Sequence, residues 1–207
     1  MSLDLWLLFV PAAFAINVLP GPNNMLAMTN GLRYGLLYAM MGGLGRLLAF
    51  VILIVLTATG LGAILAASAT AFYVLRIVGA LYLVYLGFRL WRTKTEEIAD
   101  PGLKVAEKVS TYKIIRQEFL VAISNPKAIL VFTAFFPQFL VAESPILSQF
   151  ASMGITFIIL EIIALFLYAI SGKQLAFLTR TARGQKIMNR ASGSLLIGAG
   201  GLLATSS

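Results

Sequence analysis

The sequence predicts an all-α polytopic membrane protein, with six transmembrane helices arranged as two inverted three-helix repeats. Three observations carry that prediction. The chain is 59% hydrophobic and only 12% charged, about half the charge of an ordinary soluble domain. Six apolar stretches approach or exceed the about 20 residues, at ~1.5 Å each, that cross a hydrocarbon core. Lys and Arg gather in alternate loops, as they do in segments retained in the cytoplasm.

Residues 5–32 carry no charge and supply the first span. The amino terminus offers Asp4 rather than a basic segment, and no short apolar run ends at a cleavage site, so this stretch reads as a retained span. Residues 36–65 are apolar except for Arg46 and form the second. In the third, residues 71–91, Arg76 and Arg89 reach the two interfaces by snorkelling and leave an apolar middle. The fourth, 117–141, contains Glu118 and Lys127; the fifth, 145–171, contains Glu161; the sixth, 191–204, is short and rich in Gly.

Seven basic residues, from Arg89 to Arg116, lie between spans three and four, and five, from Lys173 to Arg190, between spans five and six. Apart from Arg76 near an interface, the opposite side holds only Asp4, Glu143 and uncharged segments. Both termini are therefore expected outside the cytoplasm. The stretch 93–115 mixes both charge signs with Pro101 and Gly102 and reads as a solvated cytoplasmic linker between repeats 1–92 and 116–207. Three spans per half is an odd number, so the second half must be inserted upside down, a common transporter plan. An offset of 104 superposes Pro22 on Pro126, Leu26 on Leu130 and Thr29 on Thr133.

Each half opens with a proline-broken span, Pro20-Gly21-Pro22-Asn23-Asn24 in the first and Asn125-Pro126-Lys127 in the second. Proline has no amide hydrogen for the carbonyl four residues back, so the breaks free the carbonyls of Ile16, Val18 and Ala122. Irregular backbone at membrane depth must face protein or a wet cavity. Gly21 adds freedom and room for close approach. The half-helix starting beyond each break can hold an anion at its amino end. These eight residues form the expected substrate-binding site. A central Lys costs roughly 2.5–3.5 kcal/mol to insert, so Lys127 should face a cavity or a counter-ion. Arg46 and Glu161, also charged within apolar spans, read as a candidate ion pair or proton site. Asn17 reads as a tie between helices, and the glycines as packing contacts.

With no Cys and no His, thiolate chemistry, haem ligation and the usual zinc sites lack their ligands, and no metal or cofactor is expected. No nucleophile set or phosphate loop accompanies the charged residues, which argues against an enzyme. The excess of 16 Lys and Arg over 8 Asp and Glu belongs to cytoplasmic loops facing the bilayer surface, not to nucleic-acid binding.

The motifs resemble the LysE/RhtB family of amino-acid exporters over nearly the whole chain. Leu19-Pro20-Gly21-Pro22-Asn23 is similar to its PGP signature, Gly79 through Gly87 with Arg89-Leu90-Trp91-Arg92 to its third-span ending, and Asn125-Pro126-Lys127-Ala128 through Phe136-Pro137-Gln138-Phe139 to its fourth span. Asn189-Arg190 through Gly193 resembles the start of its sixth. The resemblance implies efflux of amino acids or related metabolites driven by the proton-motive force. Arg46 and Glu161 have no assigned place in the family pattern. A channel or uniporter for another small solute or ion is the competing reading, and a homodimer is compatible with the chain.

Overall fold

A computed structural model describes residues 2–67, 69–93, 110–141, 144–170 and 181–205, and every regular element among them is helical. In the first half, α1 (Leu3–Val18) and α2 (Pro22–Tyr34) meet at a bend of 58°. Gly35 follows with a φ of +89°, a left-handed turn for which glycine is suited, and leads into α3 (Leu36–Ala67) and α4 (Ala69–Arg92). In the second half, α5 (Thr111–Ile123) is followed after a 54° bend by α6 (Pro126–Leu130), which runs on through a π turn at Val131–Phe135 and a 3-10 turn at Phe136–Phe139. α7 (Ile146–Ile170) and α8 (Ala182–Thr205) complete the chain. Among the described residues α3 and α7 are long and apolar enough to cross a membrane, and the two bent pairs bring the candidate spans to four.

Two boundaries differ from the sequence reading. α5 begins at Thr111, inside the stretch read as linker. Its buried face of Ile114, Glu118 and Ala122 recurs every fourth residue, and Ile114 packs beside Gly42 of α3, so tertiary contact extends the helix into polar sequence. α8 begins at Ala182, nine residues before the apolar run. Arg183, Lys186 and Arg190 there are exposed while Gly184 and Asn189 are buried, an amphipathic start that a search for apolar stretches passes over. The linker residues 94–109, Glu143, Lys173, Arg180 and the Arg76 side chain lie outside the described residues.

Glycines set the closest helix approaches. A Cβ on Gly45 would overlap the carbonyl oxygen of Ile115, joining α3 to α5, and one on Gly31 would overlap that of Ala169, joining α2 to α7. On the outer pair, a Cβ on Gly87 of α4 would lie 2.6 Å from Gly193 O of α8. The core is aromatic toward the Leu3, Leu140 and Ile146 ends. There Phe9, Phe132, Phe135, Phe136, Phe139 and Phe150 are buried, with rings such as Phe9–Phe139 and Phe135–Phe139 at 5.1 and 4.9 Å.

Candidate functional site

The backbone groups released at the two breaks are taken up within the protein. Leu19 N donates to Ala15 O and Ile16 O at 3.2 and 3.3 Å, the Tyr168 hydroxyl donates to Val18 O at 2.7 Å, and Asn125 N donates to Ala122 O at 3.2 Å. The three carbonyls expected to be open to a ligand therefore already have donors. Pro22 and Pro126 each occupy the first turn of the helix beyond the break, where a missing N–H costs nothing. Gly21 has an extended φ of −165° that any residue adopts, and a Cβ there would meet Lys127 Cδ at an ordinary 3.7 Å. Neither the backbone angle nor the space beside Lys127 therefore requires a glycine there.

Side chains join the breaks across the molecule. Asn125 caps α6 by accepting from Lys127 N at 3.0 Å and donates through Nδ2 to Asn23 Oδ1 at 2.7 Å. Lys127 Nζ donates to Leu19 O at 3.0 Å. Asn24 Nδ2 donates to Asn17 O and Leu19 O at 2.7 and 2.9 Å, folding the start of α2 back onto the end of α1. Asn17 Nδ2 reaches Phe157 O of α7 at 3.4 Å.

Behind the breaks lies a fully buried charge network centred on Arg46 of α3. Its guanidinium has five N–H donors, and each is directed to an acceptor. Nε and Nη2 hold Glu118 Oε2 of α5 at 3.1 and 2.9 Å. Nη1 holds Glu161 Oε1 of α7 at 2.8 Å and Asn24 Oδ1 at 3.2 Å, and Nη2 also donates to Asn23 O. Asn30 Nδ2 donates to Glu118 Oε1 at 3.4 Å, engaging that carboxylate on both oxygens. The fork-on-carboxylate geometry ties α3 to α5 more directionally than an ammonium would. Arg46 and Glu161 thus meet, as a triad with Glu118 rather than as a pair.

A small cavity, about 20 Å³, lies beside both this network and the breaks. Its polar wall is Asn17, Asn23, Asn24, Asn125, Lys127 and Glu161, and Phe50, Val131 and Phe157 line the apolar side. Five of the eight residues expected at the substrate site therefore border one space, while Pro20, Pro22 and Pro126 act through the backbone.

The family model for LysE type translocators matches residues 14–207. The chain belongs to the LysE-type translocators. An "Uncharacterized membrane protein" of Vibrio cholerae is 32% identical over 99% of this chain and 98% of its own length. A "Homoserine/homoserine lactone efflux protein" of Salmonella typhimurium is 29% identical over the same shares, and a "Leucine efflux protein" of Enterobacter sp. is 29% identical over 94% and 90%. No solved structure matches.

In this LysE-type translocator the residue missed by sequence reasoning is Glu118. It sits at the very start of the predicted fourth span, two residues past basic Arg116, and the sequence reading gives it no role. The spacing Ile114, Glu118, Ala122 was the available signal, since it puts the carboxylate on the buried helix face. Asn30 and Tyr168, which hold Glu118 and Val18 O, were likewise not singled out.

Proposed function

We propose that this translocator exports amino acids or closely related metabolites from the bacterial cytoplasm by proton antiport, through six spans arranged as two inverted three-helix repeats with both termini periplasmic. The observation that carries the proposal is the pairing of a cation and an anion, Lys127 and Glu161, on one buried cavity between the two breaks. A zwitterion matches that pair. Its carboxylate would take the Lys127 N–H groups and the Asn amides, and its apolar portion the Phe50 and Phe157 side. The names of the relatives support this cargo, since leucine, homoserine and homoserine lactone all carry a primary ammonium.

Depth supports a transport site. Arg46 lies ten residues past Leu36, and Glu161 nine before Ile170, so each is ~15 Å from its helix end, near the middle of a hydrocarbon core of about 30 Å. A cavity of about 20 Å³ has room for about one water. Loading an amino acid therefore requires the breaks to part, with the Lys127–Leu19 and Asn125–Asn23 bonds as the latch between halves. The packed phenylalanines fill the route toward the Leu3, Leu140 and Ile146 ends, which favours alternating access over an open channel.

The test loads proteoliposomes with a mixture of amino acids, imposes a proton gradient and measures which ones move. Lys127→Ala, incorporated at the parental level, is expected to lower transport at least tenfold. Parental rates in that variant would remove Lys127 from the site, and transport indifferent to collapse of the gradient would favour the uniport reading.

A further inference from the structure

The Arg46 network contains two carboxylates in unlike positions. Glu118 is closed: Arg46 fills one oxygen twice and Asn30 the other. Glu161 is half open, because Arg46 holds Oε1 at 2.8 Å while Oε2 has no donor among the described residues. The side chain is 5% exposed, and the residue borders the cavity. The oxygen left over on the cavity side can be met by a proton on the carboxylate or by a cation brought into the cavity.

We propose that Glu161 Oε2 is the exchange point at which a proton and the substrate's primary ammonium compete, while Glu118 remains the fixed counter-ion of Arg46. The inference rests on the amino-acid export reading and identifies the group the site requires in its cargo. With the cavity open to the cytoplasm, an incoming ammonium displaces the proton from protonated Glu161 and leaves an ammonium–carboxylate pair. The proton goes to the cytoplasm. When the cavity opens on the other face the substrate departs and a periplasmic proton restores the carboxylic acid. One proton enters for each substrate exported, and one positive charge moves inward when the cargo is a zwitterion.

The charged and titratable groups facing Glu161 are Arg46 from α3, Glu118 from α5, Lys127 from α6 and Tyr168 from α7 itself. α1 and α2 contribute only the amides of Asn17, Asn23 and Asn24. Arg46 has all five donors engaged and Glu118 both oxygens, and Lys127 brings donors rather than acceptors. Glu161 is thus the carboxylate on the cavity wall with an oxygen left for an ammonium, and a cargo whose nitrogen is acylated would lack the group that displaces the proton.

The experiment uses the purified full chain in weakly buffered detergent with a pH-sensitive dye. The probes are L-leucine and L-homoserine, each beside its N-acetyl derivative. Binding of an unmodified probe is expected to release up to one proton, and the acetylated probes are expected to bind at least tenfold more weakly. Glu161→Asp should keep the release. Glu161→Gln should bind the probes at least tenfold more weakly and release none. Binding without proton release in the parent at any pH, or release that persists in Glu161→Gln, would overturn the exchange role while leaving amino-acid export standing. Should Glu161→Gln fail to fold, acetylated probes binding as tightly as their parents would overturn it instead. If no amino acid binds or moves, the export reading falls and this inference with it.

Discussion

Arg46 shows how one side chain can be committed to structure beside a candidate transport site. Its donors reach α5, α7 and the start of α2 at once, so an isolated change of geometry at any partner would strand a buried charge. Lys in its place would keep the charge but offer three donors on a flexible stem instead of five in a planar fork. It could not serve both glutamates, the Asn23 carbonyl and the Asn24 amide together. Arg46→Lys is expected to destabilise the fold by about 3 kcal/mol, toward the lower end of what breaking a buried pair costs. Thermal unfolding of the purified protein in detergent measures it, and an unchanged midpoint would mean that the fork geometry contributes nothing. Lys127 is placed differently. It is only partly buried and donates to a backbone oxygen, so its loss should fall on transport more than on stability.

At the level of elements, the charge network depends on how closely α3 and α5 approach, and glycine controls that distance. Gly45 adjoins Arg46 and faces Ile115 O, and Gly42 faces Ile114 and Glu118. Gly45→Ala would force the helices apart next to the Arg46–Glu118 pair, at a cost of about 1–3 kcal/mol for overpacking. Gly60 on the same helix meets nothing within 4 Å, so Gly60→Ala should be neutral or stabilise by up to about 1 kcal/mol through helix propensity. Comparing the two in a heat-aggregation assay separates packing from propensity; equal effects would remove the role given to the close approach. The breaks themselves were legible, because proline and polar residues in an apolar run have a direct physical meaning. Which side chains close them was not. Asn23 meets Asn125 across 102 positions, Glu118 joins Arg46 across 72, and the Tyr168 hydroxyl reaches Val18 O across 150. Such pairings arise from helix order and rotation, which an apolar stretch leaves open. The π and 3-10 turns after α6 were also hidden, since the phenylalanines there suit an ordinary helix equally well.

For the molecule as a whole, the position of the cavity between the two breaks has the proposed functional meaning only if the halves are inverted in the membrane. The loop charges argue for that, because short basic loops stay in the cytoplasm. In the proposed arrangement, three spans per half would leave both termini on the far side. The sequence contains no Cys, so single cysteines report their exposure to a membrane-impermeant maleimide without background. Ser2→Cys and Ser207→Cys are expected to label in intact spheroplasts, whereas Thr93→Cys and Arg183→Cys, placed in the basic connections, should label only after the membrane is opened. Labelling of the two terminal positions from opposite sides would require an odd total of spans. The inverted repeat would then be lost, and with it the reason for expecting the two breaks to exchange access by rocking of one half against the other.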